Sequence, residues 1–328
     1  MGIESNRNHI SVTMEKEFGE EYIEYRKKWQ LAGKRKDYYK VPLHVDIDLT
    51  NTCNMSCISC NALPILNKSK FIIDMDILSK RLTEAIPLGV KSINFGNASE
   101  PLLSQEKLFN LINIVSSLGV MDIFIHTNGL LLNENISERI IQSDLKTLAI
   151  SIDAVTEETF SKVGRKGFKV VVNNILQFIE MRSKMNSSFP FLRLSFLPNQ
   201  YNYKEIKDFN AFWKDKADMV DIQNIINMNQ DKSVSSLFKP QHFFCADPWK
   251  RLPIWSNNTY GICCEHFCFN EDTKNLYNLG FLYENSIADV WASQKINNIR
   301  ESLLNNKYYP ECKECIESVF MPDNEFFP

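Results

Sequence analysis

The sequence predicts an α/β protein, a partial (β/α)6 barrel followed by a small cysteine-rich module at its C-terminus. Three observations carry this expectation. From Val41 onward, short apolar strands alternate with amphipathic helices, the rhythm of a parallel sheet. Helical stretches at 75–88 and 107–118 are each followed by a glycine, Gly89 and Gly119, as at a left-handed helix end. Past residue 240 aromatics, asparagines and six of the nine cysteines replace that rhythm. The division expected is 1–42 as an N-terminal helical extension, 43–235 as the barrel and 236–328 as the module.

In chain order, residues 1–42 are charged, and an amphipathic helix over 15–30 places Phe18, Tyr22 and Trp29 roughly on one face, suited to packing across the barrel. Six strands are expected at 44–49, 91–95, 122–126, 147–152, 192–196 and 219–222. No repeat or low-complexity segment interrupts them, so the barrel reads as one domain. In such barrels the strand C-termini carry the chemistry. Here those ends hold polar groups: Gly96 to Pro101 after the second strand, His126 to Gly129 after the third, Ser151 to Ala154 after the fourth. The fifth and sixth lead into the neutral amides Asn199, Gln200, Asn202, Gln223, Asn224 and Asn227.

At 328 residues and 44% apolar content the chain can bury a sizeable core. No apolar run approaches the eighteen or so residues of a spanning helix, and Glu4, Arg7, Glu15 and Lys16 deny the N-terminus a signal peptide's apolar centre. The expected location is cytoplasmic, away from the membrane. There, nine cysteines point to reduced thiols and metal ligation rather than a disulfide framework. A net charge of −3 gives no footprint for nucleic acid. A small molecule or a peptide is the expected partner.

The residues of greatest chemical interest follow the first strand. Cys53, Cys57 and Cys60, spaced by four and three, can gather three sulfurs around one small volume. A disulfide would leave one thiol over, and a structural zinc would want a fourth ligand, which no Cys or His supplies within the next sixty residues. Three thiolates suit a 4Fe–4S cluster with one iron open to a substrate. The interleaved Asn51, Thr52, Asn54, Ser56 and Asn61 argue against inert buried thiols. This C-x3-C-x2-C after a first strand resembles the radical S-adenosylmethionine (SAM) superfamily, although Ser59 stands where that family usually has an aromatic residue. The resemblance implies that residues 96–101 match the family's Gly-Gly-Glu-Pro element, with Ala98 and Ser99 in place of the glycines, Ser99 among the cofactor contacts, and Glu100 retained to meet the ammonium of S-adenosylmethionine. It also implies that Asn128 lies in the family's Thr-Asn-Gly turn, that Ser151 and Asp153 form its ribose-binding pair, alternating to one face of a strand, and that Arg165 meets the cofactor carboxylate, with Lys162, Lys166 and Lys169 as competitors.

In the C-terminal module, Cys312-Lys-Glu-Cys315 pairs naturally with two earlier thiols, and spacing alone leaves zinc and iron–sulfur both open. The run from Cys245 through Trp249, Cys263, Cys264, Gly280 and Trp291 to Cys315 resembles the SPASM/twitch extension that holds auxiliary 4Fe–4S clusters. Asn258 stands where that pattern usually has a glycine, five residues before Cys263, and favours Cys263 over Cys264 as the ligand because Asn tolerates a left-handed conformation. One auxiliary cluster is therefore expected, on Cys245, Cys263, Cys312 and Cys315, which makes two 4Fe–4S clusters and S-adenosylmethionine the cofactor set. The implied activity is reductive cleavage of S-adenosylmethionine to a 5′-deoxyadenosyl radical that takes hydrogen from an unactivated carbon, with an external one-electron donor such as flavodoxin or ferredoxin. Oxidation or epimerisation of a small polyhydroxylated substrate is the leading expectation, with Cys264 and Cys268 as candidate hydrogen donors for the latter. Maturation of a ribosomal peptide is the alternative within the family, and a non-catalytic metal-cluster scaffold the alternative from another class.

Overall fold

The computed structural model describes residues 2–67, 70–226, 236–240, 244–263 and 278–321. Six parallel strands follow one another in order, β1 (His44–Ile47), β2 (Ser92–Phe95), β3 (Asp122–Thr127), β4 (Thr147–Ser151), β5 (Phe191–Phe196) and β6 (Met219–Ile222). Helices α3 (Met75–Ala85), α4 (Gln105–Ser117), α5 (Glu134–Gln142), α6 (Glu157–Lys162), α7 (Phe168–Lys184) and α8 (Ile206–Trp213) connect them. The strands alternate cleanly. Val45, Ile47, Ile93, Phe95, Ile123, Ile125, Leu148, Ile150, Leu192 and Leu194 have no exposed surface, and they form the core between sheet and helices. Each such side chain contributes roughly 1.5–3 kcal/mol of transfer free energy. Most of the intervening positions are polar: His44, Ser92, Asn94, Asp122, His126, Ser151 and Arg193 line an internal cavity, together with Phe124. A barrel interior is usually filled with branched apolar side chains, so this lumen is built to be occupied.

Two features differ from expectation. The helix expected over 15–30 is two, α1 (Gly2–Phe18) and α2 (Glu20–Gly33), broken where Gly19 takes φ 61°. Tyr22 and Tyr25 of α2 are buried, and Tyr25 and Trp29 line the end of the lumen opposite the strand C-termini. The second difference concerns the module. Its strand β9 (Arg251–Ile254) pairs in parallel with β1, His44 opposite Arg251, and carries a hairpin with β10 (Thr259–Tyr260) and then β11 (Gly280–Phe281). The sheet thus has nine strands, in the order β11-β10-β9-β1-β2-β3-β4-β5-β6, and runs unbroken from barrel into module. The boundary expected at 235 lies outside the described residues. Short strands β7 (Ile225–Ile226), β8 (Lys239–Pro240) and β12 (Val319–Met321) make a separate three-stranded sheet. Among the described residues no helix is long and apolar enough to cross a membrane.

Candidate active site and cluster sites

Past β1 the chain turns into the loop bearing Cys53, Cys57 and Cys60, all half-buried. Two backbone bonds dock this loop on the turn after α6, Ser56 N to Gly164 O at 3.2 Å and Ile58 N to Val163 O at 3.1 Å. Gly164 has φ +80°, and a Cβ there would lie 2.2 Å from Ser56 O, so only glycine permits the approach. Asn67 clamps Cys53 from both sides, accepting from its N–H at 3.2 Å and donating to its C=O at 3.1 Å. Asn128 Nδ2 donates to Asn54 Oδ1 at 2.7 Å and ties the loop to the end of β3. Burial pushes all three thiols up from their ordinary pKa, so the thiolates form when a metal displaces the protons. Among the described residues no three Cys, His, Asp or Glu side chains converge tightly enough for one mononuclear ion. A cubane instead asks each thiolate to reach a different iron, and the donor set fits it.

Glu100 is 2% exposed, and burial pushes its pKa up. Its Oε1 accepts from Thr127 Oγ1 at 2.7 Å and Leu102 N at 3.0 Å, its Oε2 from Asn128 N at 2.8 Å. A carboxylate has about four acceptor sites, so one remains for an incoming cation. The 96–101 loop needs its glycine at Gly96, φ +90°, where a Cβ would meet His126 O at 2.5 Å. Ala98 and Ser99 are absent from the positive-φ residues, so their replacing glycines strains nothing. Instead they anchor the loop, because Asp48 accepts from Ala98 N at 3.0 Å and Ser99 Oγ at 2.7 Å. Asp48 is fully buried, which pushes its pKa up to about 7. Ser99, read from sequence as a cofactor contact, therefore has its hydroxyl directed at Asp48.

The Ser151/Asp153 expectation also changes. β4 ends at Ser151, and Asp153 takes φ +50°, so strand alternation does not place the two side chains together. Asp153 Oδ2 accepts from Arg165 Nη2 at 2.5 Å and Oδ1 from Leu197 N at 2.7 Å. Ser151 and Arg165 line the lumen with Cys53, Cys57, Ser99, Glu100 and Asn128, and Asp153 stands behind them. Arg165 is buried. Desolvation opposes its charge, but Asp153 and Cys57 more than compensate, and its Nε has no partner. Asn202 donates to Asp153 O at 2.9 Å and Leu197 O at 3.0 Å, a structural role, whereas Gln223 lines the lumen. Asn227, Cys264 and Cys268 lie outside the described residues.

Below this rim the lumen, of about 540 Å³, holds groups that sequence reading missed. Arg251 Nη2 meets Asp46 Oδ1 at 2.5 Å, and Arg193 pairs with Asp221. Burial opposes the charge of Asp46, yet Arg251 and His44 hold its carboxyl well below the usual range. Asn94 Nδ2 donates to Asp46 Oδ1 at 3.0 Å, which turns Asn94 Oδ1 toward His126 Nδ1, also at 3.0 Å. That orientation fixes the tautomer: His126 donates from Nδ1, and among the described residues its Nε2 has no hydrogen-bond partner. Burial, then Arg193, push its pKa down to about 3. His126 is thus a neutral imidazole with a lone pair in a polar cavity. The signal for these groups is the recurrence of polar residues within strands whose parallel pairing should make them apolar throughout.

In the module, Cys245, Cys263, Cys312 and Cys315 all line one cavity of about 30 Å³, walled otherwise by Pro248, Ile262, Ile299, Leu303 and Ile316. The turn that delivers Cys263 has Asn258 at φ +64°, as expected from the sequence, and Asn258 Oδ1 also accepts from Asp74 N at 2.9 Å. Four thiols in an otherwise apolar chamber fit a closed, fully ligated cluster.

Family models match this chain twice, the radical SAM superfamily over residues 47–208 and an iron–sulfur cluster-binding domain, SPASM, over residues 245–316. The chain belongs to the radical SAM superfamily. As a radical SAM enzyme with a SPASM domain, it takes S-adenosylmethionine and 4Fe–4S clusters as cofactors. A probable GTP 3′,8-cyclase of Methanocaldococcus jannaschii is 27% identical over 189 residues, 56% of this chain and 59% of the cyclase. The match with that relative therefore spans less than two thirds of its length. Among solved structures, BtrN in complex with AdoMet and 2-DOIA superposes with TM-score 0.52 at 15% identity, covering 85% of this chain and 93% of BtrN. Streptococcus suis SuiB bound to precursor peptide SuiA superposes with TM-score 0.55 at 15% identity, covering 84% of this chain and 70% of SuiB. At such identity the likeness concerns the fold.

Proposed function

We propose that this radical SAM enzyme oxidises a carbinol of a small polyhydroxylated substrate, of sugar or aminocyclitol type, bound in the barrel lumen. Cys53, Cys57 and Cys60 hold the first cluster, and Cys245, Cys263, Cys312 and Cys315 the second. S-adenosylmethionine on the first cluster supplies, when reduced, the 5′-deoxyadenosyl radical that removes a carbon-bound hydrogen. The remaining acceptor site of Glu100 takes the cofactor's ammonium, Asn128 and Ser151 lie beside it at the rim, and the cationic Arg165 in the lumen wall suits its carboxylate. The observation that carries the substrate reading is the lumen itself: about 540 Å³, lined mostly by polar side chains from β1 to β5, with Tyr25 and Trp29 of α2 at its far end. Its size suits a compact ligand. Oxidation is favoured over epimerisation by His126, whose neutral Nε2 can accept the hydroxyl proton as the carbonyl forms, while the cluster on Cys245, Cys263, Cys312 and Cys315 would take the remaining electron. Residues 1–42, 43–235 and 236–328 then serve as stopper, barrel and second cluster carrier.

The test is to incubate reduced, reconstituted enzyme with panels of cyclitols, sugars and their amino derivatives beside a peptide library, reading substrate-dependent 5′-deoxyadenosine. Stimulation by the polyols with a product two hydrogens lighter supports the proposal. Stimulation by peptides alone would mean that the lumen receives a side chain. A product of unchanged mass that gains one deuterium in heavy water would make the enzyme an epimerase, with Cys264 and Cys268 as the first thiols to replace.

A further inference from the structure

We propose that Arg35 raises the reduction potential of the cluster on Cys245, Cys263, Cys312 and Cys315. The inference rests on the assignment of those four cysteines as ligands. Arg35 is 8% exposed, and its guanidinium grips both walls of the cysteine chamber: Nε donates to Cys245 O at 2.8 Å and Nη1 to Leu303 O at 2.9 Å. The guanidinium carbon lies 3.4 Å from the centroid of the Phe244 ring. The residue sits at φ +54°, the left-handed position that ends α2, where Arg35 N donates to Ala32 O at 2.9 Å and Lys36 N to Leu31 O at 3.3 Å, so the helix end fixes the place from which the side chain leaves. Among the described residues no carboxylate is paired with it.

A buried cation without a carboxylate is costly unless some other anion stands near. Four thiolates on an oxidised 4Fe–4S core give a net charge of about −2, and one further electron makes it about −3, so a fixed cation favours the reduced state and raises the potential. The first cluster site is arranged differently. Its neighbouring Arg165 is neutralised by Asp153 at 2.5 Å. Among the described residues one site therefore has a cation paired with a carboxylate and the other a cation without one, which would set the second cluster above the first as an electron acceptor.

The experiment uses the full chain carrying Cys53→Ala, Cys57→Ala and Cys60→Ala, so that one cluster remains, titrated anaerobically against potential with the reduced cluster read by electron paramagnetic resonance. At the midpoint of that protein, adding Arg35→Gln should lower the reduced-to-oxidised ratio about tenfold, which is about 59 mV for one electron. Arg35→Lys, which keeps the charge, should lower it less than about threefold, and Arg35→Met provides a second neutral replacement should the Gln protein not hold iron. An unchanged ratio in the neutral variants, or equal shifts for Lys and the neutral residues, would overturn the role of charge. Iron content tests the underlying assignment separately: about four irons that vanish when Cys312→Ala is added uphold it, and a triple variant devoid of iron removes the second cluster and this inference with it.

Discussion

The two cysteine sites of this chain are built on opposite principles. Around Cys53, Cys57 and Cys60 the surroundings are polar and open: Cys53 and Cys57 share a lumen of about 540 Å³ with Glu100, Asn128, Ser151 and Arg165, and hydrogen bonds hold the loop. Around Cys245, Cys263, Cys312 and Cys315 the chamber is about 30 Å³ and its remaining walls are apolar. A site that must admit a ligand keeps polar groups ready and space beside its metal, whereas one that only exchanges electrons gains from exclusion of water. That difference is our reason for proposing chemistry at the first and electron transfer at the second.

The largest expected effect would break the comparison outright. The Cys53→Ala, Cys57→Ala, Cys60→Ala variant should keep roughly half the iron and lose all cleavage of S-adenosylmethionine, measured as 5′-deoxyadenosine. Residual cleavage would place the chemistry elsewhere. Next comes Asp153→Asn. From sequence this acid reads as a ribose ligand whose amide would do nearly as well, but its pairing with Arg165 makes the loss one of a buried partner, about 3–5 kcal/mol of stability. Chemical denaturation measures it, and a cost below about 1 kcal/mol would return Asp153 to the cofactor.

Glu100→Gln should weaken S-adenosylmethionine by about 1.5–3 kcal/mol, the range for a hydrogen bond to a charged group. Calorimetry on reconstituted protein checks this, and unaltered affinity would leave Glu100 as a purely structural tie among Leu102, Thr127 and Asn128. The smallest effect concerns pH. Asp48, raised by burial to about 7, binds a proton in the folded state that the unfolded chain has released, so its contribution to stability falls as pH rises from about 4 to 7. His126, lowered to about 3, is neutral when folded and charged when unfolded, so its contribution rises with pH from about 3 to 6.5. The two oppose each other at up to ~1.4 kcal/mol per pH unit. Relative to wild type, the slope of stability against pH between 4.5 and 6 should turn more positive in Asp48→Asn and more negative in His126→Gln. Parallel curves for all three proteins would remove both assignments.

How much of this was legible in the sequence depended on whether the signal was local. The β6 strand at 219–222 was read with its observed bounds because an apolar pattern flanked by turns specifies it. β1 was read two residues too long because Asp48, which looks like one more alternating position, turns to receive the amides of the 96–101 loop. The single helix expected over 15–30 failed at Gly19, where a conformation open to glycine outweighed the continuity of the apolar face. The cysteine groups were legible from spacing and Glu100 from resemblance, but the residues that hold Glu100 come from another strand end, joined to it only by folding. His126, Asn94 and Asp46 carried a readable signal, polar residues alternating within strands that pair on both sides. Arg35 carried none, since it is 210 residues from Cys245 along the chain.

The parallel pairing of β9 with β1 has a consequence for how the molecule comes into being. The first strand of the barrel, made early in synthesis, finds one of its two neighbours only after more than two hundred further residues have been made, with His44 placed opposite Arg251. Until then its edge presents unpaired backbone groups, the template on which strands of other chains can add. Contacts of such sequence separation slow folding and lengthen the life of partly folded states. The β9 segment thereby governs when the edge of the first barrel strand is covered.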